Sequence, residues 1–212
     1  MAGADRGAGP GADPGAGPDG AAGPGVAEAL AAHRPGDEME AADVARIQAL
    51  IAAGGDPWSR SQPVHVTGSA LVVHPPTGRV LLRWHVRMGS WLQVGGHGDP
   101  GESSPLAVAR REGREETGLA DLAPWPEPAA PRLVHVVIVP VPEGKGEPAH
   151  HHADLRYLLA TARPGDARPE RSDAPLRWMA VDEARALVAE DNLRVTLDRA
   201  AVLLAGADLD VR

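Results

Sequence analysis

The sequence predicts an α/β domain, with helices layered on a central sheet, and three observations carry that prediction. Strand-like and helix-like apolar patterns alternate from about residue 38 to the C-terminus. One strand-like run, Leu71-Val72-Val73, is continuously apolar, as a strand covered on both faces is. The stretch from Gly95 to Leu119 passes from loop-forming glycines into a carboxylate-lined helix within 25 residues.

At 212 residues the chain is long enough for one domain with an appendage. With no Phe, one Tyr and five Trp, the core must rest on Val, Leu, Ile and Ala. The formal charge of −8 argues against general affinity for nucleic acid or an anionic membrane, and leaves a small phosphorylated substrate as the expected partner. Zero cysteines remove disulfides, a thiolate nucleophile and a Cys-based zinc site. No apolar run approaches the roughly 20 residues that span a bilayer, and the N-terminus lacks the basic and apolar regions of a signal peptide. A cytoplasmic protein is expected.

Residues 1–36 are repetitive in Gly, Ala, Pro and Asp and are expected to form a disordered tail, with residues 37–212 as the folded domain. From Glu40 to Ala53 the apolar positions Val44, Ile47, Leu50 and Ile51 make a helical stripe that stops before Gly54-Gly55. His65–His74 and Arg79–Val86 read as strands around the Pro75-Pro76-Thr77-Gly78 turn, and Trp91–Val94 returns as a short strand after Met88-Gly89-Ser90. Ser104 followed by Pro105 is a helix start, and Gly118 is its stop. After a proline-studded loop, Leu133–Val141 and Asp154–Thr161 read as strands, Leu176–Ala180 as a short strand, and Asp182–Val188 and Asn192–Leu204 as helices. The run His150-His151-His152 precedes Asp154. On an extended chain His150 and His152 share one side and His151 faces the other, so these three are not expected to form a single metal site, and His152 with Asp154 is the pair of interest.

At about 100° per residue, Leu106, Ala109 and Gly113 share one stripe of the helix, and Glu112, Glu115 and Glu116 fill the neighbouring sector. Carboxylates three and four apart repel unless a cation lies between them, and Arg111 relieves only part of that. Hard oxygen donors without cysteine point to Mg²⁺ or Mn²⁺. Taken alone, the cluster also suits a solvated acidic face.

The flanks of that helix carry a resemblance. GGHGDPGESSPLAVARREGREETGL resembles the Nudix box: Gly96 and Glu102 match its first half, and Arg111, Glu112, Glu115, Glu116, Gly118 and Leu119 its second. Two positions depart from it. One residue too many separates Glu102 from Arg111, and Gly113 stands where the family prefers an aliphatic side chain. The extra residue is expected in the Ser103–Pro105 turn, which keeps the helix glutamates in register and displaces Glu102, making Glu102 the less critical acid.

The resemblance implies a Nudix-like α/β/α sandwich with a mixed central sheet. It also implies a hydrolase that cleaves a diphosphate linkage in a nucleoside diphosphate joined to another moiety. Mg²⁺ (or Mn²⁺) would be held by Glu112, Glu115, Glu116 and Gly96, with Arg111 orienting the glutamates. His85, Arg87, Trp91, His97 and Asp154 become candidates for the substrate side, with Trp84 as an alternative stacking surface. Glu112, Glu116, Asp154 and Glu170 are admissible as general base, and a homodimer is compatible with the resemblance. Absence of cysteine argues against an isoprenoid diphosphate isomerase, and the acidic charge against messenger-RNA decapping. The alternative is a non-catalytic Nudix-like module that binds a nucleotide metabolite or partner.

Overall fold

The computed structural model describes residues 23–144 and 148–206. The first element, α1 (Val26–Ala32), lies inside the stretch expected to be a tail. Val26, Ala29 and Leu30 fall at i, i+3 and i+4 and are all buried. Residues 26–33 carry the signal of a helical turn or two between Gly- and Pro-rich flanks, and their apolar positions pack on the core; residues 1–22 lie outside the described residues. Next, α2 (Glu38–Ala52) is capped by Asp37, whose side chain accepts from the Glu40 N–H at 2.8 Å. Glu40 is 2% exposed although charged. It accepts from Arg199, from the Gly36 and Val136 N–H groups, and pairs with His33, which ties α1, α2 and the C-terminal helix together.

The strands are β1 (Val64–His74), β2 (Arg79–His85), β3 (Ser90–Leu92), β4 (Val94–His97), β5 (Ala123–Pro124), β6 (His135–Val141), β7 (His150–Ala160) and β8 (Leu176–Ala180). They form one sheet of eight strands. Among the described residues only β1 and β7 run parallel and the other pairings are antiparallel, so the sheet is mixed as expected. The helices that complete the layers are α3 (Pro105–Thr117), α4 (Val181–Leu187) and α5 (Asp191–Leu204).

Alternation along the central strands builds both layers. Leu71 and Val73 of β1 and Leu158 of β7 pack beneath α4 and α5, with Leu193, Leu197 and Ala200. Ala70 and Val72 of β1, with Tyr157 and Leu159 of β7, pack beneath α3, against Leu106 and Ala109. A third cluster joins Val26, Leu30, Val44 and Ile47 to Val66, Val136 and Leu155.

The expected strand Trp91–Val94 divides at Gln93. Its first part pairs with β2, and its second crosses to pair with β1 as far as His97. Gly95 and Gly96 are therefore strand residues opposite Ser69 and Gly68, where a loop was expected. The strand expected from Asp154 begins earlier, at His150, and includes all three histidines.

Candidate active site

The box helix is fixed at both ends as its sequence dictates. Ser104 accepts from the Ala107 N–H, Pro105 occupies the first turn, and Gly118 takes the left-handed conformation while its N–H reaches the Arg114 oxygen at 2.7 Å. Ahead of the helix, a turn closed by the Glu102 N–H on the Asp99 oxygen presents Glu102. Glu102, which the extra residue was expected to displace, reaches Arg111. Its carboxylate accepts from Arg111 Nε and Nη2 at 3.1 and 3.0 Å and from the Asp99 N–H at 2.7 Å. Burial would raise its pKa, but these partners hold it below the ordinary carboxylate range. Gly113 is also accounted for, because a Cβ there would stand 2.9 Å from Leu122 Cδ1. Leu122 fills the space that an aliphatic side chain on the helix would take.

Arg111 organises the acids. Nη1 donates to Glu112 and Glu115, at 3.0 Å each, while Nη2 also reaches the His97 carbonyl at 2.8 Å. Glu116 is held from the other side: Arg83 Nη1 lies 2.9 Å from Oε1, and the Gly95 N–H donates to Oε2 at 3.1 Å. Gly96 is required by contact, since a Cβ there would overlap the Glu112 carboxylate. Burial raises the pKa of Glu112, and burial lifts Glu116 to about 7 against the opposing pull of Arg83. Glu112 and Glu116, with their charge only partly compensated beside the Gly95-Gly96 backbone, are a hard-oxygen donor set that fits a divalent cation. Glu115 faces outward, 53% exposed, with Arg111 as its partner.

The remaining expected residues are scattered. His85 Nδ1 accepts from the Met88 N–H and shapes the β2–β3 turn; burial first, then Arg83 and Arg87, lower its pKa. Exposed Arg87 crosses to the Pro142 carbonyl at 2.9 Å. Trp91 meets Trp84 edge-on with centroids 5.6 Å apart and packs on the core beneath α4 and α5.

Two expectations are corrected. Asp154 is 4% exposed and receives donors from Thr67 on Oδ1 and from Ser69, Gln93 and Arg156 on Oδ2, so it anchors a buried network away from substrate and water. The His97 ring turns away from the box into contact with His65 and His152. Glu170 remains on the open side, 51% exposed and 3.7 Å from Arg83.

Sequence reasoning missed Arg83, Gln93 and His65. Arg83 had a signal: alternation along β2 sets it opposite to Val80 and Leu82, on the face that meets α3.

The family profile described as NUDIX domain matches residues 64–199. Among solved structures, an Ap4A hydrolase from C. elegans is 19% identical with a TM-score of 0.51, over 66% of this chain and 98% of that one. A NUDIX-family hydrolase from Clostridium perfringens is 21% identical with a TM-score of 0.50, over 66% and 97%. The E. coli dihydroneopterin triphosphate pyrophosphohydrolase is 17% identical with a TM-score of 0.50, over 67% and 97%. At these identities the likeness is one of fold. No curated protein matches the sequence. The matched profile spans the whole sheet and the box helix, and the fold agrees: the chain belongs to the NUDIX domain family.

Proposed function

We propose that the protein is a Mg²⁺-dependent hydrolase that cleaves the diphosphate of a nucleoside diphosphate linked to another moiety. The observation that carries this reading is the pair Glu112 and Glu116, one helical turn apart, each partly buried and each braced by a different arginine. A bound divalent cation would neutralise the diphosphate and lower the pKa of the attacking water. Glu112 and Glu116 would hold it with Gly96, and Glu115 would add negative charge from the outer side.

The other residues act by position. Arg111 is engaged with acids through Nε, Nη1 and Nη2 and orients them without touching substrate. Arg83, beside Glu116 and near Glu170, offers its guanidinium to a phosphate oxygen once Glu116 exchanges partners. Of the four carboxylates admissible as base, Asp154 is removed by its network, which leaves Glu112, Glu116 and Glu170. The names of two structural neighbours, an Ap4A hydrolase and a dihydroneopterin triphosphate pyrophosphohydrolase, support a substrate in which phosphoanhydrides are joined to a heterocyclic group.

Phosphate release from a panel of nucleoside diphosphate compounds tests the reading. Activity should require Mg²⁺, disappear with EDTA, and fall by several orders of magnitude in Glu116→Gln while the fold is kept. Full activity in EDTA or in Glu116→Gln would overturn it. Binding to the same panel without hydrolysis would leave the non-catalytic module in its place.

A further inference from the structure

On the sheet face that points away from the box helix, β1, β4 and β7 bring the imidazoles of His65, His97, His150 and His152 together. The parallel ladder sets His65 opposite His152, the antiparallel one sets His97 opposite Thr67, and His150 precedes His152 on the same side. His97 Nε2 is 3.1 Å from Nε2 of both His65 and His152, and His150 Nε2 is 3.1 Å from that of His152. His65, His150 and His152 each offer a ring nitrogen within 4.8 Å of the others.

Hydrogen bonds among singly protonated rings cannot satisfy all three of these contacts together. His65 Nδ1 lies 3.2 Å from the Gln62 carbonyl, and His150 Nδ1 lies 2.8 Å from that of Pro148. A carbonyl oxygen only accepts, so in both rings Nδ1 carries a proton, and in the singly protonated form Nε2 presents a lone pair. The Nε2 atoms meet in the order His65, His97, His152, His150. If His97 and His152 donate outward to the two ends, their own N–H groups oppose each other in the middle. If one donates to the other, an end contact becomes lone pair against lone pair. A cation among His65, His150 and His152, whose ring nitrogens lie within 4.8 Å of one another, takes their lone pairs together, with His97 Nε2 beside two of them, and the outer carbonyls then serve as the partners that orient metal-bound histidines. Tetrahedral zinc, with Zn–N of about 2.0–2.1 Å, sets neighbouring nitrogens about 3.3 Å apart, close to the spacing seen.

We propose that His65, His97, His150 and His152 form a binding site for one divalent transition-metal ion of the Zn²⁺ class, separate from the carboxylates of the box helix. Four imidazoles without a carboxylate in the set select a borderline ion over Mg²⁺ or Ca²⁺. A cavity of about 180 Å³, lined by Ser61, Gln62, His65, His97 and His150 among others, gives the ion a path from solvent. The ion pins β4 to β1 and β7. It thereby fixes the His97 backbone oxygen on which Arg111 Nη2 rests, at 2.8 Å. This inference is independent of the catalytic reading.

The test is Zn²⁺ titration of the full chain, stripped with chelator and held in saturating Mg²⁺, with Co²⁺ absorption as a second readout of tetrahedral nitrogen ligation. Wild type should bind one Zn²⁺ per chain. Glu112→Gln combined with Glu116→Gln should bind it equally well, as should His151→Gln, whose ring lies on the other face. His150→Gln and His152→Gln should each weaken it by roughly 100-fold or more; His150 lies at the start of its strand, so its variant keeps the test decisive if His152→Gln fails to fold. Wild-type affinity in the folded histidine variants, loss of the ion only in the glutamate double variant, or no Zn²⁺ bound by folded wild type would each overturn the proposal.

Discussion

Replacing Arg111 with lysine keeps the charge and removes the fork, which separates the two things an arginine can do here. In the native site Nε reaches Glu102, Nη1 reaches Glu112 and Glu115, and Nη2 reaches Glu102 and the His97 carbonyl. A single ammonium serves one of those directions well. Hydrogen bonds to charged groups contribute about 1.5–3 kcal/mol each, so losing two of them would cost about 3–6 kcal/mol if the site were dry. It is not. Arg111 is 24% exposed and Glu115 53% exposed, which makes the Glu115 contact a surface pair of about 0.3–0.5 kcal/mol. A discounted loss of about 2–3 kcal/mol is the working figure, equivalent to roughly 30- to 160-fold in rate if it falls on the transition state. Steady-state hydrolysis at saturating Mg²⁺, paired with urea unfolding, reads both effects. Arg111→Lys should lower kcat by about that factor with KM nearly unchanged and most of the chain folded. Glu102→Gln should follow it in the same direction, because Glu102 braces the guanidinium. A wild-type kcat in Arg111→Lys would refute the argument that the fork sets the position of Glu112, and so would a loss accounted for by the unfolded fraction alone.

Two further outcomes concern stability. Deleting residues 1–35 removes the buried side chains of Val26 and Leu30, at about 1.5–3 kcal/mol each as an upper estimate, so the melting temperature should fall by roughly 10 °C; an unchanged melting temperature would show that α1 adds nothing to the core. Burial would raise the Glu40 pKa, but His33, Arg199 and the Gly36 and Val136 N–H groups outweigh it and hold the group far below the ordinary range. A depressed folded pKa gives stability that is complete above the unfolded value of about 4.3 and is lost as pH falls below it, so unfolding free energy from pH 5 to pH 3 should drop less steeply in Glu40→Gln than in wild type; equal slopes would refute this.

The elements legible in the sequence were those whose signal is local. Ser104, Pro105 and Gly118 bracket the box helix because caps act within one turn, and Leu71-Val72-Val73 marked a central strand because both of its faces are covered. The consequences of the two departures from the box were not legible, since both depend on side-chain contacts made beyond the helix's own pattern. Leu122 closes over Gly113, and the Asp99–Glu102 turn returns Glu102 to Arg111 although one residue has been added. Asp154 was misjudged for a similar reason. Its strand position was clear, but its donors come from β1, from Gln93 and from Arg156, and only the assembled sheet shows that its oxygens are occupied.

The histidines show where periodicity stops informing. Alternation alone placed His150 and His152 on one side of a strand and His151 on the other, and on that ground a site made of three consecutive histidines was rejected. The same alternation says nothing of what the shared side faces. That is fixed by the register of β1 on β7, where His65 meets His152, and by the crossing of β4 from β2 to β1, which delivers His97. A slip of one residue in either ladder would turn His65 or His97 to the opposite face. A metal site assembled across strands is therefore a property of register, and the isolated His65 and His97 carry no sign of it until the strands are paired.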